Sequence, residues 1–251
     1  MGISVAMAVY NGEKYIEEQI LSILKQLKCN DELVISYDKS TDGTYRIISD
    51  LAVRDSRIKI FSGPSLGVVK NFENALRNCK NDYIFLSDQD DIWLDGKIHN
   101  VIKTFKSTHA DLILHDCIVI DEKNKVIHSS FFKWRHCRRG FLHNVIKNSY
   151  IGCCMAVKRD FLTKVLPFPE NIPMHDQWMG LIAEKKGSVA FLNTPLIKYR
   201  RHSGNVSSLH HSRISYMVKF RANLISALLS KQPSEINMTS FSLSCIIISS
   251  A

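Results

Sequence analysis

The sequence predicts an α/β domain built on a mostly parallel sheet flanked by helices, followed by a helical C-terminal tail. Three observations carry this. Short apolar runs alternate with amphipathic segments through the first half of the chain, the pattern of βαβ units. The 251 residues, 45% of them hydrophobic, suffice for one large core. No internal repeat and no linker rich in Gly, Pro or Ser divides the chain.

Taken in order, Ile3 to Val9 reads as a buried strand and Asn11-Gly12 as a turn with a helix cap. Glu13 to Leu27 reads as a helix with Ile16, Ile20, Leu24 and Leu27 on one face. A strand at Glu32 to Tyr37, a helix from Ser40-Thr41 to Ala52 and a strand at Arg57 to Phe61 follow. A helix at Val69 to Cys79 leads to the apolar strand Asp82 to Leu86. Beyond Asp91 the spacing predicts a helix near Gly96 to Lys106, a strand at Leu112 to Ile120 and a basic irregular stretch. A strand at Ile151 to Val157, a helix around Gln177 to Lys186 and an amphipathic tail helix over His211 to Leu229 complete the series.

Composition excludes several classes. Eleven Gly, six Pro and 23% charged residues are ordinary globular values, so collagen-like, disordered and disulfide-scaffold chains are out. The seven cysteines form an odd set without zinc spacing and read as buried, reduced thiols of a cytosolic protein. No signal peptide opens the chain, and no run of 18 apolar residues occurs; Phe241 to Ile248 is too short and serine-rich to span a bilayer. Charge is divided unevenly. Residues 1–132 hold 16 Lys and Arg against 19 Asp and Glu, whereas residues 133–251 hold 17 against 5. The second half therefore expects an anionic partner, with nucleic acid, lipid headgroups and a phosphorylated substrate all in view.

In an open parallel sheet, ligands sit beyond the carboxyl ends of the strands, where this chain carries Tyr10-Asn11, Asp38 and Asp88-Gln89-Asp90-Asp91. Three carboxylates within four positions at the end of a buried strand repel one another unless a cation compensates them. Mg²⁺ or Mn²⁺ suits so short a set of hard oxygen ligands; a solvated acidic turn capping the next helix is the alternative.

The series Val5 to Gly12, Tyr37 to Thr44, Leu66-Gly67, Ser87-Asp88-Gln89-Asp90-Asp91-Ile92-Trp93, His175-Asp176-Gln177-Trp178, Tyr199 to His202 and Asn205 resembles the family 2 inverting glycosyltransferases. The Ser87 to Trp93 string is most similar to bacterial polysaccharide enzymes, rhamnosyltransferases among them. The resemblance implies the Rossmann-like GT-A fold over residues 1–206, with 1–120 as nucleotide-binding part, 121–206 as acceptor-binding part and 207–251 as the tail. It also implies a UDP- or dTDP-sugar donor held by Ala8, Tyr10, Asp38, Asp88 and Arg200, with Tyr10 stacked on the base, Asp38 accepting from the base and Arg200 on the diphosphate. A Mn²⁺ or Mg²⁺ cofactor is implied at Asp90, with His202 as a further ligand, whereas Asp91 is expected to cap the next helix. Asp176 takes the place of the catalytic base, and Trp178 is expected to line the acceptor pocket. One departure is plain: the usual Asp-Asp-Gly-Ser turn is Tyr37-Asp38-Lys39-Ser40 here, which leaves Asp38 as its one carboxylate.

Two other classes compete. A nucleotidyltransferase expects a Gly-rich basic loop near the N-terminus, and Val9-Tyr10-Asn11-Gly12-Glu13 is neither. A nucleic-acid-binding module would use the basic and aromatic stretch Lys133 to Arg139, yet no nucleic-acid fold signature accompanies it; no nucleic-acid partner is expected. The basic half is expected instead to rest on the anionic inner leaflet, where a lipid-diphosphate-linked glycan acceptor waits, giving a cytoplasmic protein peripheral on the inner membrane face.

Overall fold

The computed structural model describes residues 2–205 and 221–228. The expected tail helix is seen only at 221–228, which are helical; its remainder lies outside the described residues.

The first half follows the alternation read from the sequence: β1 (Ile3–Val9), α1 (Ile16–Leu24), β2 (Glu32–Tyr37), α2 (Thr44–Arg54), β3 (Ile58–Ser62), α3 (Val68–Asn78), β4 (Tyr83–Ser87). Two helices start late, for one local reason. Asn11 adopts a left-handed φ of 48°, and the Gly12 carbonyl accepts from both Tyr15 and Ile16 N–H, so α1 begins only after this turn. Ser40 and Thr41 do not cap α2; the Ser40 hydroxyl accepts from Asn11 N–H, and Thr41 N–H donates to the Asn11 side chain. The N-cap is Gly43, and Asp42 before it closes the turn, its Oδ1 accepting from Thr44 N–H at 3.1 Å.

The second half departs further: β5 (Ile92–Trp93), α4 (Lys97–Thr108), β6 (Leu112–Ile120), β7 (Val126–His128), α5 (Phe131–Arg135), α6 (Phe141–Ile146), β8 (Met155–Lys158), α7 (Leu162–Val165), α8 (His175–Lys186) and β9 (Val189–Arg200). The basic stretch expected as irregular thus carries a short strand and two short helices. The expected strand at Ile151 to Val157 is half a 3₁₀ turn, Gly152–Cys154, before β8.

Among the described residues one sheet runs in the order β3-β2-β1-β4-β8-β6-β9-β5, with β7 on the flank of β6. The first four strands are parallel. β8 then runs antiparallel to both its neighbours, β9 returns parallel to β6, and β5 is antiparallel to β9. The sheet is mixed, parallel in its first half. β9, unforeseen in the sequence, contains Pro195 and absorbs it in a bulge: His115 faces Leu192 and Asp116 faces Pro195, leaving Asn193 and Thr194 unpaired with β6.

The core is one cluster running from Ile3, Val5 and Met7 of β1 through Leu112 to Leu114 of β6 to Trp178, Met179 and Leu181 of α8. β2, β1 and β4 are parallel neighbours and end on the same edge of the sheet, so their terminal residues lie side by side.

Candidate active site

The site begins at the end of β1. Tyr10 stands 55% exposed, and its backbone is clamped by the Gln89 side chain: Tyr10 N–H donates to Gln89 Oε1 at 2.9 Å, and Gln89 Nε2 donates to the Tyr10 carbonyl at 2.8 Å. β1 and β4 stop pairing at Met7 and Ser87, so the Gln89 amide takes the place of the strand neighbour that β1 has lost. Ala8 is half-buried and faces Ser36 across the ladder. One strand over, Asp38 is buried, and its Oδ1 accepts from Ser65 N–H at 2.8 Å. A Cβ at Gly63 would collide with that same oxygen.

The turn after β4 concentrates charge. Its foundation is Gln19, buried in α1, whose Nε2 donates to the Ser87 hydroxyl and the Asp88 carbonyl. The half-buried Asp88 carboxyl is pushed up to about 7, first by burial and then by the negative charges of Asp90 and Asp176. Asp90 Oδ2 lies 2.7 Å from His202 Nε2 and accepts from Asn205 Nδ2 at 3.3 Å. The structure therefore brings Asp88, Asp90, Asp176 and His202 together, although they lie up to 114 positions apart in the sequence.

Three expectations need correction. Asp91 does not cap the following helix: β5 intervenes, and α4 starts after Gly96. Asp91 is instead fully buried; Oδ1 accepts from Arg200 N–H at 2.9 Å, and Oδ2 has no hydrogen-bond partner. Burial, Asp90 and Asp88 push its carboxyl well above the usual range.

Arg200 is not presented to a ligand either. It is 1% exposed. Nε donates to the Asp90 carbonyl, NH1 to Asn124 Oδ1 and NH2 to Glu18 Oε2, while the guanidinium lies 4.6 Å from the Tyr15 ring centroid. The side chain holds the acidic turn in place from beneath.

Trp178 is 0% exposed and belongs to the core, with Nε1 donating to the Val165 carbonyl at 3.1 Å. Two positions along a helix turn about 200°. With Asp176 facing the site, Trp178 faces the interior.

Asp176 is the second residue of α8 and 8% exposed. Burial raises its carboxyl to about 6, against the pull of the Gln177, Gly152 and Asp176 backbone N–H groups. Its neighbour His175 stacks on Phe72 at 4.0 Å; burial lowers it to about 3, and neither ring nitrogen has a hydrogen-bond partner. Gly152 leaves room there, since a Cβ would sit 2.9 Å from His175 Nε2.

These residues fit a divalent cation. Ligand atoms of Asp88, Asp91 and Cys153 lie within 4.8 Å of one another, and a buried carboxylate oxygen without a hydrogen-bond partner, among carboxyls raised by burial and by one another's charge, leaves a place for a cation beyond the one at Lys97. Burial keeps the Cys153 thiol protonated, so the hard oxygens of the turn, Asp88 and Asp90 foremost, are the suitable donors for Mg²⁺ or Mn²⁺. Behind them Lys97, fully buried, donates to the Cys153 carbonyl at 2.9 Å and sits 4.0 Å from the Trp93 ring centroid. Burial lowers it to about 8, opposed by the Cys154 and Cys153 thiols and Asp91.

Sequence reasoning missed the Gln89 clamp, the Lys97–Cys153 support and the grip of Arg200. A glutamine between two aspartates, and a lysine at a helix start, carry no signal of burial.

The Glycosyl transferase family 2 profile matches residues 4–166 of the chain. The chain is 28% identical over 240 residues to the dTDP-rhamnosyl transferase RfbG of Shigella flexneri, covering 86% of this chain and 77% of the relative. It is 32% identical over 209 residues, 82% of this chain and 80% of the relative, to the UDP-Glc:alpha-D-GlcNAc-diphosphoundecaprenol beta-1,3-glucosyltransferase WfaP of Escherichia coli. Among solved structures, residues 1–349 of S. aureus TarS in complex with UDP-GlcNAc superpose with a TM-score of 0.72 at 20% identity, covering 94% of this chain and 68% of that fragment. That likeness establishes the GT-A fold.

Proposed function

Because the chain belongs to glycosyl transferase family 2, we propose that it transfers a sugar, with inversion, from a UDP- or dTDP-sugar to a hydroxyl of a lipid-diphosphate-linked glycan in bacterial surface polysaccharide assembly. The observation that carries this reading is the meeting of Asp176, raised to about 6 by burial, with the acidic turn at the ends of β1, β2 and β4. The relatives named above use dTDP- and UDP-sugars by name, and one of them acts on a diphosphoundecaprenol.

In this reading residues 1–120 hold the donor and 121–206 the acceptor. The exposed Tyr10 ring offers a face for the base, and Asp38 an acceptor for a ring N–H, which favours uracil or thymine. Ala8, one residue before the end of β1, leaves the floor beneath the nucleotide free of bulk. Asp88 and Asp90, with His202, would hold Mg²⁺ or Mn²⁺, which when bound supplies charge neutralisation for the departing nucleoside diphosphate. Asp176 accepts the proton of the acceptor hydroxyl while that oxygen bonds to the anomeric carbon, and the anomeric C–O bond to the diphosphate breaks from the opposite face. Arg200 acts on Asp90 through its backbone. The basic second half is read as the side facing an anionic inner leaflet. Among the described residues no helix is long and apolar enough to cross a membrane.

The test is thermal stabilisation by UDP- and dTDP-sugars with Mn²⁺, followed by transfer assays on lipid-diphosphate acceptors with the donor that binds. Stabilisation by one donor class and transfer with inverted anomeric configuration are expected. Product with retained configuration, or no stabilisation by any donor, overturns the reading.

A further inference from the structure

Outside the site, α6 has an unusual surface. Its inner side is fixed: Phe141 and Val145 pack on the core, and buried Asn144 donates to the carbonyls of Arg138 and Gly140 while its Oδ1 accepts from Ser149 N–H. Its outer side carries Leu142 and Ile146, 76% and 66% exposed. At a spacing of four these two sit one above the other on a single face. Arg138, Arg139 and Lys147, which flank α6 in the sequence, are exposed. The whole run 123–159 contains nine Lys and Arg and no Asp or Glu.

This element is joined to the catalytic edge. Gln177, next to Asp176, donates from Nε2 to the Asn144 carbonyl at 2.9 Å, and Gly140 N–H donates to Glu184 Oε1 at 2.8 Å. Whatever α6 rests on therefore stands at a fixed setting from Asp176.

We propose that α6 is the element that seats the protein on an anionic lipid bilayer, with Leu142 and Ile146 entering the headgroup boundary and Arg138, Arg139 and Lys147 among the lipid phosphates. Two exposed aliphatic side chains flanked by cations match an interface that is apolar within and anionic at its surface. A second copy of the chain would set the same cations against themselves, and a nucleic acid would leave the two aliphatic side chains without a use. The proposal rests on the glycosyltransferase reading only for its purpose, which is to hold Asp176 at the depth of a lipid-linked hydroxyl.

The test is co-sedimentation of the full chain with vesicles of 30% phosphatidylglycerol in phosphatidylcholine, against pure phosphatidylcholine, at rising NaCl. Binding to the anionic vesicles that weakens with salt is expected. Leu142→Ser with Ile146→Ser should lower partitioning at least about tenfold, since each side chain forfeits its apolar transfer term, with melting temperature unchanged. Leu142→Trp should retain binding, and the emission of the added indole should shift to the blue on anionic vesicles. Arg138, Arg139 and Lys147 replaced together by Gln should flatten the salt dependence. Vesicle binding by the double serine variant equal to wild type, an unshifted emission from the Leu142→Trp variant, or a wild-type dimer that the serine variant dissolves would overturn the proposal. Transfer to a soluble acceptor analogue separates the two readings: its absence with vesicle binding intact removes the enzymatic reading alone.

Discussion

Asp176 holds a proton until about pH 6 because its carboxylate is kept from water, and this has two measurable effects of opposite sign. Transfer should rise with pH through about 6 as the base ionises. Stability should move the other way. The folded-state value is raised above the ordinary aspartate value of 3.8, so the folded chain binds the proton more tightly, and stability is lost as pH rises between those values. Asp176→Asn removes the buried charge. It should cut kcat about 10² to 10⁴-fold while raising stability at pH 7 by up to about 3 kcal/mol; kinetics beside a melting curve checks both. Asp90→Asn should reduce transfer by more than about 100-fold and abolish the Mn²⁺ requirement for donor stabilisation, measured by melting with and without EDTA. At this scale the carboxylates singled out from the sequence, Asp88, Asp90 and Asp176, do converge in the structure. It could not say which way a side chain points: Trp178 and Arg200 stand in the right motifs but face inward, and burial of a guanidinium by Glu18 and Asn124 has no local signature.

Among the elements, the strand ends are held by side chains as much as by ladders. The Gln89 clamp makes two hydrogen bonds to the Tyr10 backbone. Gln89→Ala should therefore raise the donor KM severalfold by loosening the tyrosine, leave kcat little changed, and cost about 1–3 kcal/mol of stability; a kcat loss larger than the KM rise would place Gln89 in the chemistry. β1, β2 and β6 coincide with their sequence boundaries because each is a dense apolar run bounded by turn residues. β9 escaped notice because Asn193, Thr194 and Pro195 interrupt its pattern, and the bulge that rescues it depends on a partner strand 77 positions earlier. β5, two residues long, is defined wholly by its neighbour β9.

For the molecule as a whole, the βαβ rule foretold the parallel pairing of the first half, while the order of its strands and the antiparallel insertion of β8 between β4 and β6 depend on long-range pairing that no window of sequence displays. The two charge-divided halves nonetheless share one sheet. A saturating donor with Mn²⁺, at about 100 times its Kd, should stabilise the chain by about 2.7 kcal/mol, a rise of roughly 5–10 °C in Tm for a domain of this size; a shift confined to one half, seen by hydrogen exchange, would contradict a single cooperative unit.

The grip of Arg200 also bears on the order of events during turnover. Through Asp90, Asp91, Glu18 and Asn124 it fastens the last strand to the acidic turn, the first helix and the β6–β7 hairpin. That seam ties residues of the first half of the chain to residues of the second. In the proposed reading, substrates are then expected to meet a preformed site rather than two closing jaws. A donor-first order of addition is predicted to originate in residues 202–205, where His202 and Asn205 reach back to Asp90; replacing His202 should then turn the ordered scheme into a random one, which product-inhibition patterns check.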